Sequence, residues 1–554
     1  MSRKGRTERI TRLACPLGPA VVKAAAPCPR RSRYTPAPVT RPALLVTLVV
    51  AAALRFFRIG MPVLTSDEAF SWRLIQYPLA ETVRRAALDV HPPLYYLALD
   101  AWTTLWGASP YALRGLSAVL GVLAVAMAYA VCLEASRLDP PDVDSGRTRL
   151  GALLVAAVMA IQAAPIAHGR NARMYALAIL LGGLTSWLLL RALRARAAEP
   201  RWWVAYGLAV AGFCATHYYA LFTVAAQAVF VLAPWTSRGA SGRRAARWRF
   251  VAALGLASAL LSPWLPVMAG QAERVRQTYW IPAASPSSLG LAVVQWAVGS
   301  DFTIGRPVLW LLALAVSLAW AWLRGGPGVR YLLLQALLPW AFGLAVSSLF
   351  DRPIVLERYM AFGQFFLICA WGVLWARLTT PAARGFLASV LVVVSAAGLF
   401  ATWAARYPGR PTAYWYTARY LKRQAAPGDL VLTRSPRALN KLRAYAEQVD
   451  AADLDVKYAA GVGGGDDHFS HLPSLEDSEV LRTDPFLDRT PRTIWRVEDV
   501  RTAPEPASAG WKITHARMFE GGDAPVLLVA GYGSMAESPG LATPGGAAAL
   551  GEQR

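Results

Sequence analysis

Two adjacent carboxylates, Asp67 and Glu68, stand in "LTSDEAFSW", Leu64 to Trp72, just after the first long apolar run of the chain. Such a pair can supply a base or a metal ligand, or it can simply start a helix. Thr65-x-x-Glu68 has the capping-box pattern, with Thr65 as N-cap and Glu68 reaching back to its backbone amide. Asp67 would then sit near the positive end of the helix dipole. Structure and chemistry explain Glu68 equally well. Asp67 reads as functional, because the lowered dielectric beside a bilayer strengthens a carboxylate acting as base or metal ligand.

Four further stretches carry candidate groups. In "HPPLYY", His91 to Tyr96, two prolines fix the backbone and tyrosines such as Tyr95 suit an interfacial belt. That leaves His91 for a phosphate or a metal. "HGRNARMYAL", His168 to Leu177, puts Arg170, Arg173 and Tyr175 at a tight turn between apolar runs. "THYY", Thr216 to Tyr219, adds His217 and Tyr218, although a lone histidine at such a turn is more often structural. "LERYMAF", Leu356 to Phe362, adds Glu357, Arg358 and Tyr359. An arginine at the mouth of an apolar groove suits a lipid phosphate, because its planar fork binds two oxygens at once.

The elements that must position these groups are membrane spans. Of the 554 residues, 55% are hydrophobic and 16% charged, against roughly 25% charged in soluble proteins. The apolar residues fall in long blocks that read as spanning helices. Spans are expected near 43–59, 111–133, 150–167, 174–192, 202–215, 218–233, 250–268, 307–323, 331–350, 359–376 and 386–404. The run from Trp202 to Pro234 is too long for one span and splits at "THYY".

The net charge of +23 does not point to nucleic acid. Arginines gather in the N-terminal tail and in short loops such as 234–249, and no basic stripe is interleaved with stacking aromatics. With the N-terminus inside, most basic loops fall on one side. The exception is 134–149, which has four acids against three arginines. The candidate groups then collect at the outer ends of the spans, and the C-terminus lies outside. The five cysteines form no CxxC and none follows Cys369, so an outer C-terminal domain folds without disulfides. The first apolar run reads as a retained anchor.

The domain plan is a disordered basic tail at 1–42, a membrane domain at 43–404 with large outer loops 60–110 and 269–306, an α/β domain at 405–536 and a disordered end at 537–554. In the first loop, "LAETVRRAALDV" suits a surface helix with Leu79, Val83, Ala86 and Ala87 opposite Glu81, Arg84 and Arg85. In the C-terminal domain "YWYTARYLKRQ" reads as a helix, "GDLVLTRS", "RTIWRVED" and "APVLLVAGYG" as strands, and "GVGGGDDHFSHLPS" as a loop. The expected fold is a polytopic α-helical membrane protein of about eleven spans with a C-terminal extracytoplasmic α/β domain.

Taken in order, the acidic pair after the first span, "HPPLYY", "ARMYAL", "THYY" and "RYM" resemble the GT-C membrane glycosyltransferases. The branch most similar holds protein O-mannosyltransferases, aminoarabinose lipid A transferases and bacterial lipopolysaccharide-core sugar transferases. The resemblance covers about 43–404 and "YLKRQAAPGDLVL", Tyr420 to Leu432. It implies a polyprenyl phosphate carrying one sugar as donor, transfer at the outer face, and Asp67 as the catalytic carboxylate. Part of the family also has an acid near the third-to-fourth turn, where this chain reads "HGRNARMY" and has none. Metal dependence stays open, with Asp67, Glu68 and His91 as the candidate ligands of a divalent ion. The acceptor could be protein, lipid A or another envelope glycan. The main alternative is a transporter or lipid flippase. It is disfavoured because the ionisable groups lie at span ends rather than at the midplane, and because no internal repeat is visible.

Overall fold

A computed structural model describes residues 40–61, 64–139, 143–194, 199–233, 240–277, 285–300, 307–350, 353–406, 413–433, 435–459, 475, 480–481, 493–498, 511–519 and 527–534. Nearly all of the N-terminal tail, the 461–474 loop and the end from 537 lie outside these residues.

The first helix, α1 (Thr40–Phe56), is followed by three helices in the first loop, α2 (Ser66–Leu74), α3 (Leu79–Leu88) and α4 (Leu94–Trp106). Next come α5 (Pro110–Ala135), α6 (Ser145–Ile161), the short α7 (Ala163–Gly169), α8 (Tyr175–Arg194), α9 (Arg201–Cys214) and α10 (Ala220–Leu232). The chain continues through α11 (Ala240–Leu261), α12 (Leu265–Gln277), α13 (Pro286–Val298), α14 (Pro307–Arg324), α15 (Pro327–Leu349), α16 (Ala361–Arg377) and α17 (Pro381–Arg406).

Every expected span is helical, and the long run does split at Thr216–Tyr219. Among the described residues, seven helices are long and apolar enough to cross a membrane, or eight if α6 and α7 count as one broken span. The difference from eleven arises mainly because α1, α9 and α10 are short, at 17, 14 and 13 residues. The expected outer loop at 269–306 also contains α13, whose apolar run is capped by Ser285.

Helix α16 is the hub, packed against α5, α6, α8 and α15. The α6–α16 crossing is close because Gly151 and Gly372 meet there. A Cβ on Gly151 would lie 2.5 Å from the Gly372 carbonyl oxygen, so small residues allow the two backbones to touch. Helices α14 and α17, by contrast, leave Leu309, Leu312, Val316, Leu323, Phe386 and Val393 exposed, as a lipid-facing surface requires.

Between α6 and α7 the path bends by 63°. Pro165 has no N–H to give Ile161, and its ring crowds that turn. The carbonyls freed at the end of α6 are taken by the fully buried Arg55, whose Nη1 and Nη2 donate to Ala160 (3.3 Å) and Met159 (3.1 Å). Three of the four acids that broke the charge pattern at 134–149 have local roles, and Asp142 lies outside the described residues. Glu134 pairs with Arg137, Arg191 and Arg194. Asp139 accepts from Gly328 N and faces Arg377, and Asp144 caps α6.

The C-terminal region contains α18 (Ala413–Gln424), α19 (Pro436–Gln448) and strands β1 (Leu430–Thr433), β2 (Asp455–Ala459), β3 (Val480–Leu481), β4 (Thr493–Glu498), β5 (Trp511–Phe519) and β6 (Leu527–Ser534). They form one sheet of order β3-β2-β1-β4-β6-β5, parallel from β3 to β4 and antiparallel across β6 and β5. Buried Asp429 ties the start of β1 to β4, accepting from Thr493 N and Trp495 Nε1.

This region docks on the first loop. Helix α19 packs against α2, and Leu64 N donates to Tyr445 Oη at 2.7 Å. Arg85 of α3 donates to the Leu475 carbonyl at 2.6 Å. The inward face of α3 is therefore Thr82, Arg85 and Ala86, while Leu79 and Leu88 are exposed. That differs from the expected amphipathic split, because the first loop has a protein neighbour above it.

Candidate active site

Helix α2 sets the acid pair. Thr65 Oγ1 accepts from Glu68 N, and Glu68 Oε2 accepts from Thr65 N at 2.9 Å, which completes the capping box. Glu68 Oε2 also accepts from Arg114 Nη2 (2.8 Å), and Oε1 accepts from Arg114 Nε (2.7 Å) and Ala172 N (2.9 Å). A carboxylate offers about four acceptor positions, so Glu68 has none left for substrate. Burial alone would raise its carboxyl, but the Arg114 guanidinium and the amides of Ala172 and Thr65 hold it below the usual range. Glu68 is a strut joining α2, α5 and the turn ahead of α8.

Asp67, its neighbour, is half-buried. Its charge reaches His91, Tyr96, Arg173, Tyr175, Arg358 and Tyr359. Arg173 is buried beneath it, and its Nη1 donates to Tyr96 Oη (3.0 Å), Ser71 Oγ (3.4 Å) and the Asp67 carbonyl (3.4 Å). Its Nη2 lies 3.4 Å from His91 Nδ1. That nitrogen is also 3.1 Å from Asp89 Oδ2, to which Tyr96 Oη donates at 3.4 Å. Burial pushes the His91 imidazole below its ordinary value, so the neutral ring is favoured.

Not every expected residue joins this cluster. Tyr95 is turned to α5, hydrogen-bonded to Ser117 Oγ at 3.0 Å, and its place is taken by Tyr96. Arg170 Nη1 donates to the Leu54, Arg55 and Phe57 carbonyls, capping the C-terminal end of α1. Tyr218 bonds Gln271 and Trp264, which anchors α12 rather than the cluster.

His217 forms part of an aromatic wall with Tyr175, Tyr219, Tyr359 and Phe362. Its Nδ1 accepts from Tyr219 N (3.2 Å), which leaves the ring proton on Nε2, buried and without a hydrogen-bond partner among the described residues. Arg358 is half-buried at the start of the α16 segment and donates to Tyr359. Tyr175 and Arg358 also line a cavity of about 290 Å³ with His168, Asn171, Gln295 and Ser300.

The candidate metal ligands do not fit a divalent ion. Glu68 is saturated, and the Arg173 guanidinium lies against His91. Among the described residues no three His, Cys, Asp or Glu side chains converge. Sequence reasoning missed Arg114, Asp89, Tyr96 and Tyr445. Asp89, two residues before His91 in "LDVHPP", was the one within reach of a motif scan.

No family model matches the chain, and no curated protein matches it. Solved structures do. ArnT from Cupriavidus metallidurans in the apo state aligns with a TM-score of 0.57 at 12% identity, covering 89% of this chain and 98% of that one. The chain has the GT-C fold. The same protein bound to undecaprenyl phosphate gives a TM-score of 0.58, at 12% identity and the same coverage. In this chain's GT-C fold, α2, the turns before α8 and α10, and the segment entering α16 bring the chemical groups together.

Proposed function

We propose that the chain is a membrane glycosyltransferase that moves a single sugar from a polyprenyl-phosphate donor to an acceptor hydroxyl at the outer face of the cytoplasmic membrane. The observation that carries this reading is Asp67 within charge range of two guanidinium groups, Arg173 and Arg358, the second of which lines the cavity. ArnT, which shares the fold, has been solved with undecaprenyl phosphate bound, and this supports the donor class.

Asp67 acts as general base. It takes the acceptor O–H proton as that oxygen bonds to the anomeric carbon. The bond from that carbon to the phosphate oxygen breaks in line, its electron pair leaves with the phosphate, and the configuration inverts. Polyprenyl phosphate is the second product. Arg358 meets the departing phosphate with its planar fork, offsetting charge where it develops. Arg173 holds the Asp67 segment and the Asp89–His91 pair in register. The proposed topology has about eleven spans, a cytoplasmic N-terminus and residues 405–536 outside, with the acceptor a protein, lipid A or an envelope glycan.

The test is reconstitution in liposomes with undecaprenyl-phosphate sugars and these acceptor classes, comparing wild type with Asp67→Asn. Transfer by the wild type and its loss by about 10²-fold or more in the variant is expected. A folded variant transferring at the wild-type rate removes Asp67 as base. A wild type that only moves lipid between leaflets makes the protein a flippase.

A further inference from the structure

At the opposite end of α8 from Tyr175, about 30 Å away for a helix of 20 residues, a second charged cluster takes no part in the proposed chemistry. Its centre is Glu134, 1% exposed near the end of α5. Three guanidiniums share this one carboxylate. They belong to Arg137 (2.6 Å) in the turn after α5, and to Arg191 (3.3 Å) and Arg194 in the last turns of α8. The cluster is therefore cationic. Its position at the ends of two membrane-length helices puts it at the height of lipid headgroups.

The guanidiniums are held but not used up. Glu134 faces Arg191 at Nε and Arg194 at Nη1. Among the described residues, nothing bonds Nη1 or Nη2 of Arg191, or Nε or Nη2 of Arg194. Those side chains are 38% and 39% exposed. Arg191 lies over the ring of Trp187 (4.7 Å) and near that of Trp202 (5.6 Å), which fixes the plane of its fork. Trp202 is tethered in turn by Nε1 to Glu199 (2.9 Å). Tryptophans flanking arginines mark the interfacial layer, and basic recesses between spanning helices on the cytoplasmic side suit anionic headgroups.

We infer that Arg191 and Arg194, preset by Glu134 and Trp187, form a binding site for the phosphate of an anionic phospholipid in the leaflet opposite the candidate active site. The fork of Arg191 takes two phosphate oxygens and Arg194 a third contact, while the acyl chains lie along the apolar flanks of α8 and α9. The occupant is a phosphodiester lipid rather than free phosphate, because the tryptophans and the helix flanks offer apolar contact that inorganic phosphate cannot use.

The inference does not depend on the proposed transfer reaction. It is tested by native mass spectrometry of the full chain in detergent, with dioleoyl phosphatidylglycerol, dioleoyl phosphatidylcholine and inorganic phosphate as probes. Wild type should retain phosphatidylglycerol about tenfold better than phosphatidylcholine. Arg191→Gln with Arg194→Gln should abolish that preference. Arg191→Lys with Arg194→Lys keeps the ion pairs with Glu134 but loses the fork, and should retain only part of it. The lysine pair also serves as the folded control if the glutamine pair misfolds. Equal retention of the two lipids by wild type overturns the site, as does full preference in both double variants. Binding of inorganic phosphate without lipid preference overturns the lipid assignment.

Discussion

Glu68 and Arg114, 46 residues apart, are joined by two charge-assisted hydrogen bonds of 2.7 and 2.8 Å in a site that water does not reach. Breaking a buried pair on one side leaves the other charge uncompensated, which costs about 3–5 kcal/mol. Glu68→Gln should therefore lower the thermal midpoint markedly in detergent. A midpoint equal to wild type would show that the pair is not needed for the fold.

The same residue gives an acid limb with a definite sign. The Glu68 carboxyl is held below its ordinary value in the folded chain. Its contribution is complete above the unfolded value, about 4.3, and is lost as pH falls through the lowered folded value. Wild type should thus lose stability below about pH 4, and Glu68→Gln should show a shallower loss in that window. Thermal melts at stepped pH, in detergent, read the difference.

Nδ1 of His91 faces both Asp89 Oδ2 and Arg173 Nη2, and its Nε2 has no hydrogen-bond partner among the described residues. His91→Asn keeps an amide for Asp89 but removes Nε2. If that nitrogen touches substrate, this variant should lose transfer by about 10²-fold while still binding undecaprenyl phosphate. Rescue by Asn would assign His91 to holding the loop alone. Turnover and lipid binding must be measured on the same preparation.

Arg170 and Arg358 carry the same charge in different roles. Arg358→Lys should weaken undecaprenyl phosphate binding by about tenfold, roughly 1.4 kcal/mol, because an ammonium cannot replace the fork. Arg170→Lys should leave binding alone and lower thermal stability, since Arg170 bonds carbonyls at the end of α1. The reverse pattern would exchange the assignments.

Tyr445→Phe removes only the hydroxyl that accepts from Leu64 N. Leaving that buried amide unmet costs about 1–3 kcal/mol. Hydrogen exchange at Leu64 and through the first turn of α2 should speed up, with α16 unchanged. Unaltered exchange at Leu64 would remove the contact.

The spans were legible because lipid forces long apolar runs, and the split at "THYY" was legible because no single helix could be that long. Local patterns also gave the capping box at Thr65 and Glu68. What escaped depends on facing or on distance. "HPPLYY" does not say which tyrosine turns inward, and the helix phase chooses Tyr96. Arg170 and Arg173 lie on an irregular turn, where three residues of spacing reverse the direction of the side chain. Arg114 reads as an ordinary interfacial arginine until Glu68 is seen beside it. In the C-terminal region α19 and β2 were missed although Leu439, Leu442 and Tyr445 keep helical spacing and Val456 and Tyr458 alternate with charged residues, while β5 is exposed along most of its length and carries no buried face. Burial there is set by neighbours far along the chain.

The contact between Leu64 and Tyr445 spans 381 residues. During synthesis α2 leaves the ribosome long before α19 exists. Until α19 has been made, the segment carrying Asp67 is held by Arg114, Ala172 and Arg173 but lacks the Tyr445 anchor. The last fastening of the α2 segment is tied to synthesis of the C-terminal region. A chain interrupted before α19 carries the acid on a helix that has its contacts to α5 and to the turn ahead of α8 but leaves Leu64 N without its hydroxyl acceptor.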